Sequence, residues 1–220
     1  MNLQCVIFDL DGTIADTLPL CIAAFRNSIE PLLGKTLTDE EIIATFGPSE
    51  EGTIRTLIPE HEEQGVKDYL QYYEALHDIA CPEAFDGIAE LLDMLRSRGV
   101  KLAMVTGKGI HSTRLSLEKF ALTEYFEIVE TGSPDGPNKV NGIRSVLSKF
   151  NVPKEDALYV GDAPSDIKYC KEIGIPIAAA AWAGTTNYEA LIPLDPDYIF
   201  YTIDEFSKWL TGVLDNGTTE

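Results

Sequence analysis

The chain has 220 residues and a formal charge of −19, from 36 acidic residues against 17 basic ones. A surface of that sign repels nucleic-acid phosphates and anionic lipid, so neither is an expected partner, and a phosphorylated substrate would need locally reversed charge. The length is sufficient for a sizeable core, and an apolar fraction of 45% suits a soluble globular protein.

The first expected element is a strand over residues 4–10, an apolar run that stops abruptly at Asp9-Leu10-Asp11-Gly12-Thr13. It has no basic leader before it, and no apolar run in the chain approaches a membrane span, so a cytoplasmic location is expected. From about residue 16 to 80 the pattern is helical. One helix opens around Ile22 and Phe25, another at Asp39, and a third covers residues 68–77, with Gly34, Gly47-Pro48, Pro59 and Gly65 as breaks. After Pro82 helices and strands alternate. Ile88, Leu91, Leu92 and Leu95 give a helix stopped by Gly99, residues 101–106 a strand, and residues 112–120 a helix. A short strand near Ile128 follows, then a helix marked by Val140, Ile143, Val146 and Leu147, and a strand over residues 157–160. A helix ending at Gly174, strands over residues 175–182 and 198–201, and a helix over residues 203–214 complete the pattern; the tail from residue 216 reads as disordered. Such alternation implies a doubly wound parallel α/β sheet, a Rossmann-like core that binds ligands beyond the carboxyl ends of its strands. Cys5, Cys21, Cys81 and Cys170 lie far apart with no CxxC pair and read as buried thiols of a reduced compartment.

Three strand ends carry reactive groups. Asp9 and Asp11 leave the first strand two residues apart, where both can enter one cleft, and their repulsion is relieved by a cation such as Mg²⁺. One carboxylate can then attack phosphorus while the other moves a proton. A DxDG stretch also serves as a plain turn or a calcium loop. Thr106, followed by Gly107-Lys108-Gly109, offers a hydroxyl and backbone N–H groups for phosphate, or simply a cap and a glycine turn. Lys139 opens a helix, where a lysine opposes the macrodipole unless an anion lies nearby; a solvated surface lysine is the alternative. Asp162 and Asp166 in Gly161-Asp162-Ala163-Pro164-Ser165-Asp166 can face the same cleft, or cap the next helix.

In order and position these residues resemble the haloacid dehalogenase superfamily. The first motif, DxDG[TV], is Asp9-Leu10-Asp11-Gly12-Thr13; the second is Thr106, the third Lys139, and the fourth, GDxxxD, runs from Gly161 to Asp166. The chain departs from the family pattern in the Val140-Asn141 that follows Lys139, where proline is common, and in Cys170, where alanine is usual. The resemblance, which covers nearly the whole chain, implies a Mg²⁺-dependent phosphatase in which Asp9 is the nucleophile and Asp11 the general acid and base. Thr106, Gly107 and Lys139 would hold phosphate. The metal would be bound by Asp9, the Asp11 carbonyl and Asp162, with Asp166 as a further metal or lysine-orienting carboxylate.

The resemblance also divides the chain into a catalytic core of residues 1–15 and 82–220 and an all-helical cap of residues 16–81, as in phosphoglycolate phosphatase-like members. Gly47 lies in the expected substrate-facing loop, and Arg55 is placed either to meet a substrate carboxylate or second phosphate, or on a solvated helix face. The expected partner is a small phosphorylated metabolite, phosphoglycolate-like or a sugar phosphate, for a monomer or homodimer. A β-phosphoglucomutase-like phosphomutase and a pyrophosphatase of the same fold are the alternatives. Asp11 argues against a dehalogenase, and the long helical insert against a receiver-type signalling module.

Overall fold

A computed structural model of the chain describes residues 2–217. Its strands are β1 (Cys5–Phe8), β2 (Lys101–Val105), β3 (Ile128–Glu130), β4 (Ala157–Gly161), β5 (Ile177–Ala180) and β6 (Tyr198–Phe200). Its helices are α1 (Leu18–Leu33), α2 (Asp39–Ile43), α3 (Glu50–Leu57), α4 (Glu62–Ala80), α5 (Ile88–Ser97), α6 (Ile110–Lys119), α7 (Lys139–Phe150), α8 (Pro164–Ile173) and α9 (Ile203–Gly217).

The strands form one sheet in the order β3-β2-β1-β4-β5-β6, and every neighbouring pair is parallel. Both faces are covered, which explains why the strands read as continuous apolar runs. Alternate residues feed two cores. Val6, Phe8, Leu102 and Met104 join α5 and α9 on one face, while Cys5, Ile7, Ala103 and Val105 join α7 and α8 on the other. β1 has β2 on one side and β4 on the other, so the connections diverge at its carboxyl end, where such sheets open a crevice.

Helices α1 to α4 lie between β1 and α5 in the chain and have an apolar cluster of their own, with Phe25, Ile29, Tyr69 and Tyr73 at its centre. Leu115 and Phe120 at α6 pack against this cluster, which ties the helical insert to the sheet-bearing part. No helix among the described residues is long and apolar enough to cross a membrane.

The structure differs from the sequence reading at several edges. α3 was expected as part of a loop and a helix face of no stated length; its eight residues follow the Gly47-Pro48 turn too closely to announce a helix. Gly65 does not break a helix but lies inside α4, where its missing side chain lets the helix approach Ile58 and Ile54; a Cβ there would stand 2.6 Å from Ile58 Cδ1. The strand expected over residues 4–10 is shorter as an element, although Asp9 N still donates to Val160 O at 2.9 Å and continues the ladder by one bond. Asn216 and Gly217, expected in a disordered tail, belong to α9, while residues 218–220 lie outside the described residues.

Candidate active site

Asp9 is the first residue beyond β1 and is buried. Its Oδ1 accepts from the Leu10 amide at 2.7 Å, and its Oδ2 meets Lys139 Nζ at 2.5 Å. Lys139 stands at the first position of α7 and also donates to Asp166 Oδ1 at 2.6 Å. The two carboxylates therefore supply the anions that a lysine at a helix amino terminus requires. The remaining oxygen of Asp166 accepts from the Ala163 amide at 3.2 Å, so this residue both orients Lys139 and caps α8. Asp162, just beyond β4, accepts from Thr186 Oγ1 at 3.3 Å.

Burial pushes the Asp9 carboxyl up from 3.8 to about 6, against the opposing pull of Lys139. Burial, together with Asp9 and Asp166, raises Asp162 well above the carboxylate range. Burial alone would lower Lys139, but Asp166 and Asp9 hold it above the ordinary lysine value. One oxygen from each of Asp9, Asp162 and Asp166 can be chosen so that all lie within 4.8 Å of one another. An all-carboxylate oxygen set of this kind suits a hard divalent cation. Gly12 keeps Asp162 in reach: its φ is 70°, and a Cβ there would lie 2.1 Å from Asp162 Oδ2. The residues present therefore fit a metal ion.

Asp11 has its own partners outside this cluster. Its carboxylate accepts from Thr17 Oγ1 and pairs with Lys108 Nζ at 3.0 Å. In the sequence Lys108 has a backbone part alone, in a phosphate cradle or a glycine turn, yet its side chain is buried, lies 3.1 Å from Cys21 Sγ and stands over the Tyr73 ring at 4.7 Å. A lysine between two glycines gives no periodic signal; only its spacing from Thr106 marked the place. Burial opposes its charge, but Asp11 holds it protonated, well above the usual lysine value. Glu50, at the start of α3, is equally buried and accepts from Gly109 N at 2.6 Å and from Ser112 Oγ. Burial raises its carboxyl, with Lys108 pulling the other way.

These bonds narrow the expected phosphate cradle. Thr106 is buried at the end of β2, and its hydroxyl oxygen accepts from the Lys108 amide at 3.2 Å, which leaves the hydroxyl proton free to donate. Lys108 N and Gly109 N are thus committed, and among the described residues the Gly107 amide is the one of the three without a partner in the chain. The turn that holds it rests on Gly132, whose N–H donates to Lys108 O at 2.7 Å. A Cβ at position 132 would come within 1.9 Å of Gly107 O. Gly132→Ala is therefore expected to displace this turn and lower stability by about 1–3 kcal/mol, read from the urea unfolding midpoint.

Asp9, Asp11, Thr106, Gly107, Lys139 and Asp162 open onto one cavity of about 510 Å³. Its opposite side is supplied by the helical insert through Leu18, Phe25, Ile43, Phe46, Gly47 and Tyr69. Gly47, expected in a substrate-facing loop, is among the residues that line the cavity. Arg55 does not line this cavity: it is exposed and held by Glu62 at 2.9 Å and Asp135 at 3.3 Å, which is the solvated-face alternative. The four cysteines are free and buried.

A sequence model described as haloacid dehalogenase-like hydrolase matches residues 6–180. The chain belongs to the haloacid dehalogenase-like hydrolase family. Among relatives of this haloacid dehalogenase-like hydrolase, pyrophosphatase PpaX of Listeria innocua is 31% identical over 201 residues, covering 88% of this chain and 90% of that one. Pyrophosphatase PpaX of Halalkalibacterium halodurans is 28% identical over 207 residues, covering 93% and 95%. Among solved structures, a haloacid dehalogenase-like family hydrolase from Streptococcus pneumoniae aligns with a TM-score of 0.76 and 26% identity over 95% of this chain and 99% of that one.

Proposed function

We propose that the protein is a Mg²⁺-dependent phosphatase that hydrolyses a small phosphomonoester through a phosphorylated Asp9, with residues 16–81 acting as a cap over the site. The observation that carries this reading is the buried Asp9 at the switch point of the sheet, bonded to Lys139 and grouped with Asp162 and Asp166. Bound Mg²⁺ would offset the repulsion among these carboxylates and the phosphate, held by Asp9, Asp162 and the Asp11 carbonyl, with Asp166 beside them. Thr106 Oγ1, the Gly107 amide and Lys139 would hold the phosphate oxygens. An Asp9 oxygen attacks phosphorus, the bond to the leaving oxygen breaks, and Asp11 gives that oxygen a proton. Water then attacks the phosphorus of phospho-Asp9, Asp11 takes the water's proton, and the Asp9 carboxylate and inorganic phosphate are restored.

A pyrophosphatase of this fold uses the same steps with a phosphate as leaving group, and the names of the PpaX relatives favour it as the second reading. Release of phosphate from p-nitrophenyl phosphate with and without Mg²⁺, followed by acid quench and mass spectrometry of the peptide containing Asp9, tests the scheme. A phosphoryl adduct on Asp9 during turnover is expected; metal-independent turnover without an adduct would exclude it.

The Asp9 carboxyl also gives a test that needs no substrate. Its value in the fold is raised from 3.8 to about 6, so its contribution to the stability of metal-free protein is full in acid and is lost as pH rises through about 6. A bound cation favours the charged form and opposes that loss. The increase in Tm on adding Mg²⁺ to chelator-treated protein is expected to grow as pH rises across this interval. A pH-independent increment would argue against Asp9 as a ligand.

A further inference from the structure

The cavity is divided by chemistry. Its phosphate side is polar, while its cap side presents Ile43 and Phe46, which are 41% and 39% exposed although both are large apolar residues. Phe46 lies against Phe25 with ring centroids 5.6 Å apart, and Phe25 lies against Tyr69 at 4.6 Å, so the exposed ring ends an aromatic row running into the helical core. Apolar surface held open to water inside a cleft is relieved when a ligand covers it.

The cations of the cavity are already paired. Among the described residues lining the cavity, the cationic side chains are Lys108 and Lys139. Lys139 bridges Asp9 and Asp166, and Lys108 is paired with Asp11 and enclosed by Cys21 and the Tyr73 ring. Arg55 lies outside, bound to Glu62 and Asp135. A second anionic group on the leaving side, the carboxylate of phosphoglycolate or the far phosphate of pyrophosphate, would therefore find uncharged donors such as Asn138 and Asn187 in the described lining but no unpaired cation. Against the cap wall it would meet Ile43, Phe46 and the Glu50 carboxyl. Burying an unpaired charge there is costly. The volume of about 510 Å³ falls within the range of about 300–1,000 Å³ usual for small-molecule sites, so it has room for a ring-sized portion beside the phosphate.

From this we propose that the substrate is the phosphate monoester of a neutral alcohol with an apolar, ring-sized portion that lies against Phe46 and Ile43. The inference rests on the phosphatase reading above and narrows its substrate class.

The test compares 2-phenylethyl phosphate with ethyl phosphate, whose leaving alcohols have similar basicity, and adds pyrophosphate, phosphoglycolate and p-nitrophenyl phosphate. In the wild type, kcat/KM for the phenylethyl ester is expected to exceed that for the ethyl ester by about 10-fold or more, and to exceed those for the two doubly anionic substrates. Phe46→Ala is expected to collapse the phenylethyl-to-ethyl ratio, mainly through KM. Ile43→Lys, which places a free cation on the same wall, is expected to raise kcat/KM for phosphoglycolate relative to the phenylethyl ester; it tests the charge argument even if Phe46→Ala fails to fold. Preference of the wild type for phosphoglycolate, or a ratio unmoved by Phe46→Ala, would overturn the inference while leaving the phosphatase reading intact; preference for pyrophosphate would overturn the inference and favour the pyrophosphatase reading. No turnover of any of the five substrates would overturn both.

Discussion

Asp9→Asn is expected to lower kcat for p-nitrophenyl phosphate by at least about 10⁴, the scale on which loss of a nucleophile acts. The argument rests on position. The carboxyl is buried beyond β1, fixed through one oxygen by the Leu10 amide and through the other by Lys139. An amide has nearly the same shape and retains an oxygen for one of those bonds, but lacks the charge and nucleophilicity to attack phosphorus. The same substitution removes a carboxyl that burial holds near 6 rather than 3.8, and it leaves Lys139 paired with Asp166. Metal-free Asp9→Asn protein at pH 7 is therefore expected to be at least as stable as the wild type, as read by urea unfolding. Inactivity with retained stability would assign the loss to chemistry. Wild-type turnover would remove Asp9 from the reaction.

Lys139→Met should be damaging in both respects. Among the described residues Lys139 is the ammonium shared by Asp9 and Asp166, and removing one partner of a buried ionic group costs about 3–5 kcal/mol because the charges left behind have no counterion. Methionine approximates the aliphatic stem, so the packing loss is small and the electrostatic one dominates. Unfolding midpoints at pH 7 without metal should fall accordingly, and Mg²⁺ should recover part of the difference by neutralising the same carboxylates. Turnover should not recover with it. Loss of a charged donor to the phosphate is expected to lower kcat/KM by about 10²–10³ even in saturating Mg²⁺. A variant of wild-type stability would mean that the Asp9–Lys139–Asp166 bridge does not hold in solution.

Much of this geometry was legible because it sits where strands end. Asp9, Thr106 and Asp162 each follow a short apolar run, and a parallel sheet brings the carboxyl ends of neighbouring strands together whatever the intervening sequence. Lys139 was legible for the opposite reason: it is misplaced with respect to its own helix, which called for an anion elsewhere. Lys108 and Glu50 were harder to read. Each lies in or beside a turn, and each is buried only because the helical insert and the sheet-bearing part cover it from both sides. Periodicity reports burial within one element; it carries no signal for burial between two. The same limit applies to Arg55, whose partners Glu62 and Asp135 are seven and eighty positions away, so its removal from the cavity could not be read from its neighbours.

The four cysteines are distributed between two of the packing units. Cys5 and Cys170 lie in the cluster beneath α7 and α8, whereas Cys21 and Cys81 lie in the cluster of α1 to α4. Burial pushes the thiols of Cys5 and Cys21 up to about 12 and that of Cys81 up to about 11, so in the closed fold they are poor nucleophiles as well as shielded ones. The chain thus contains intrinsic probes at two addresses. Cys21 borders the active-site cavity, but an alkylating reagent can reach Cys5 and Cys170 only when the cluster beneath α7 and α8 opens, and Cys81 only when that of α1 to α4 opens. The order in which Cys81 and the Cys5/Cys170 pair are labelled under native conditions therefore distinguishes an insert that breathes alone from a molecule that opens as a whole.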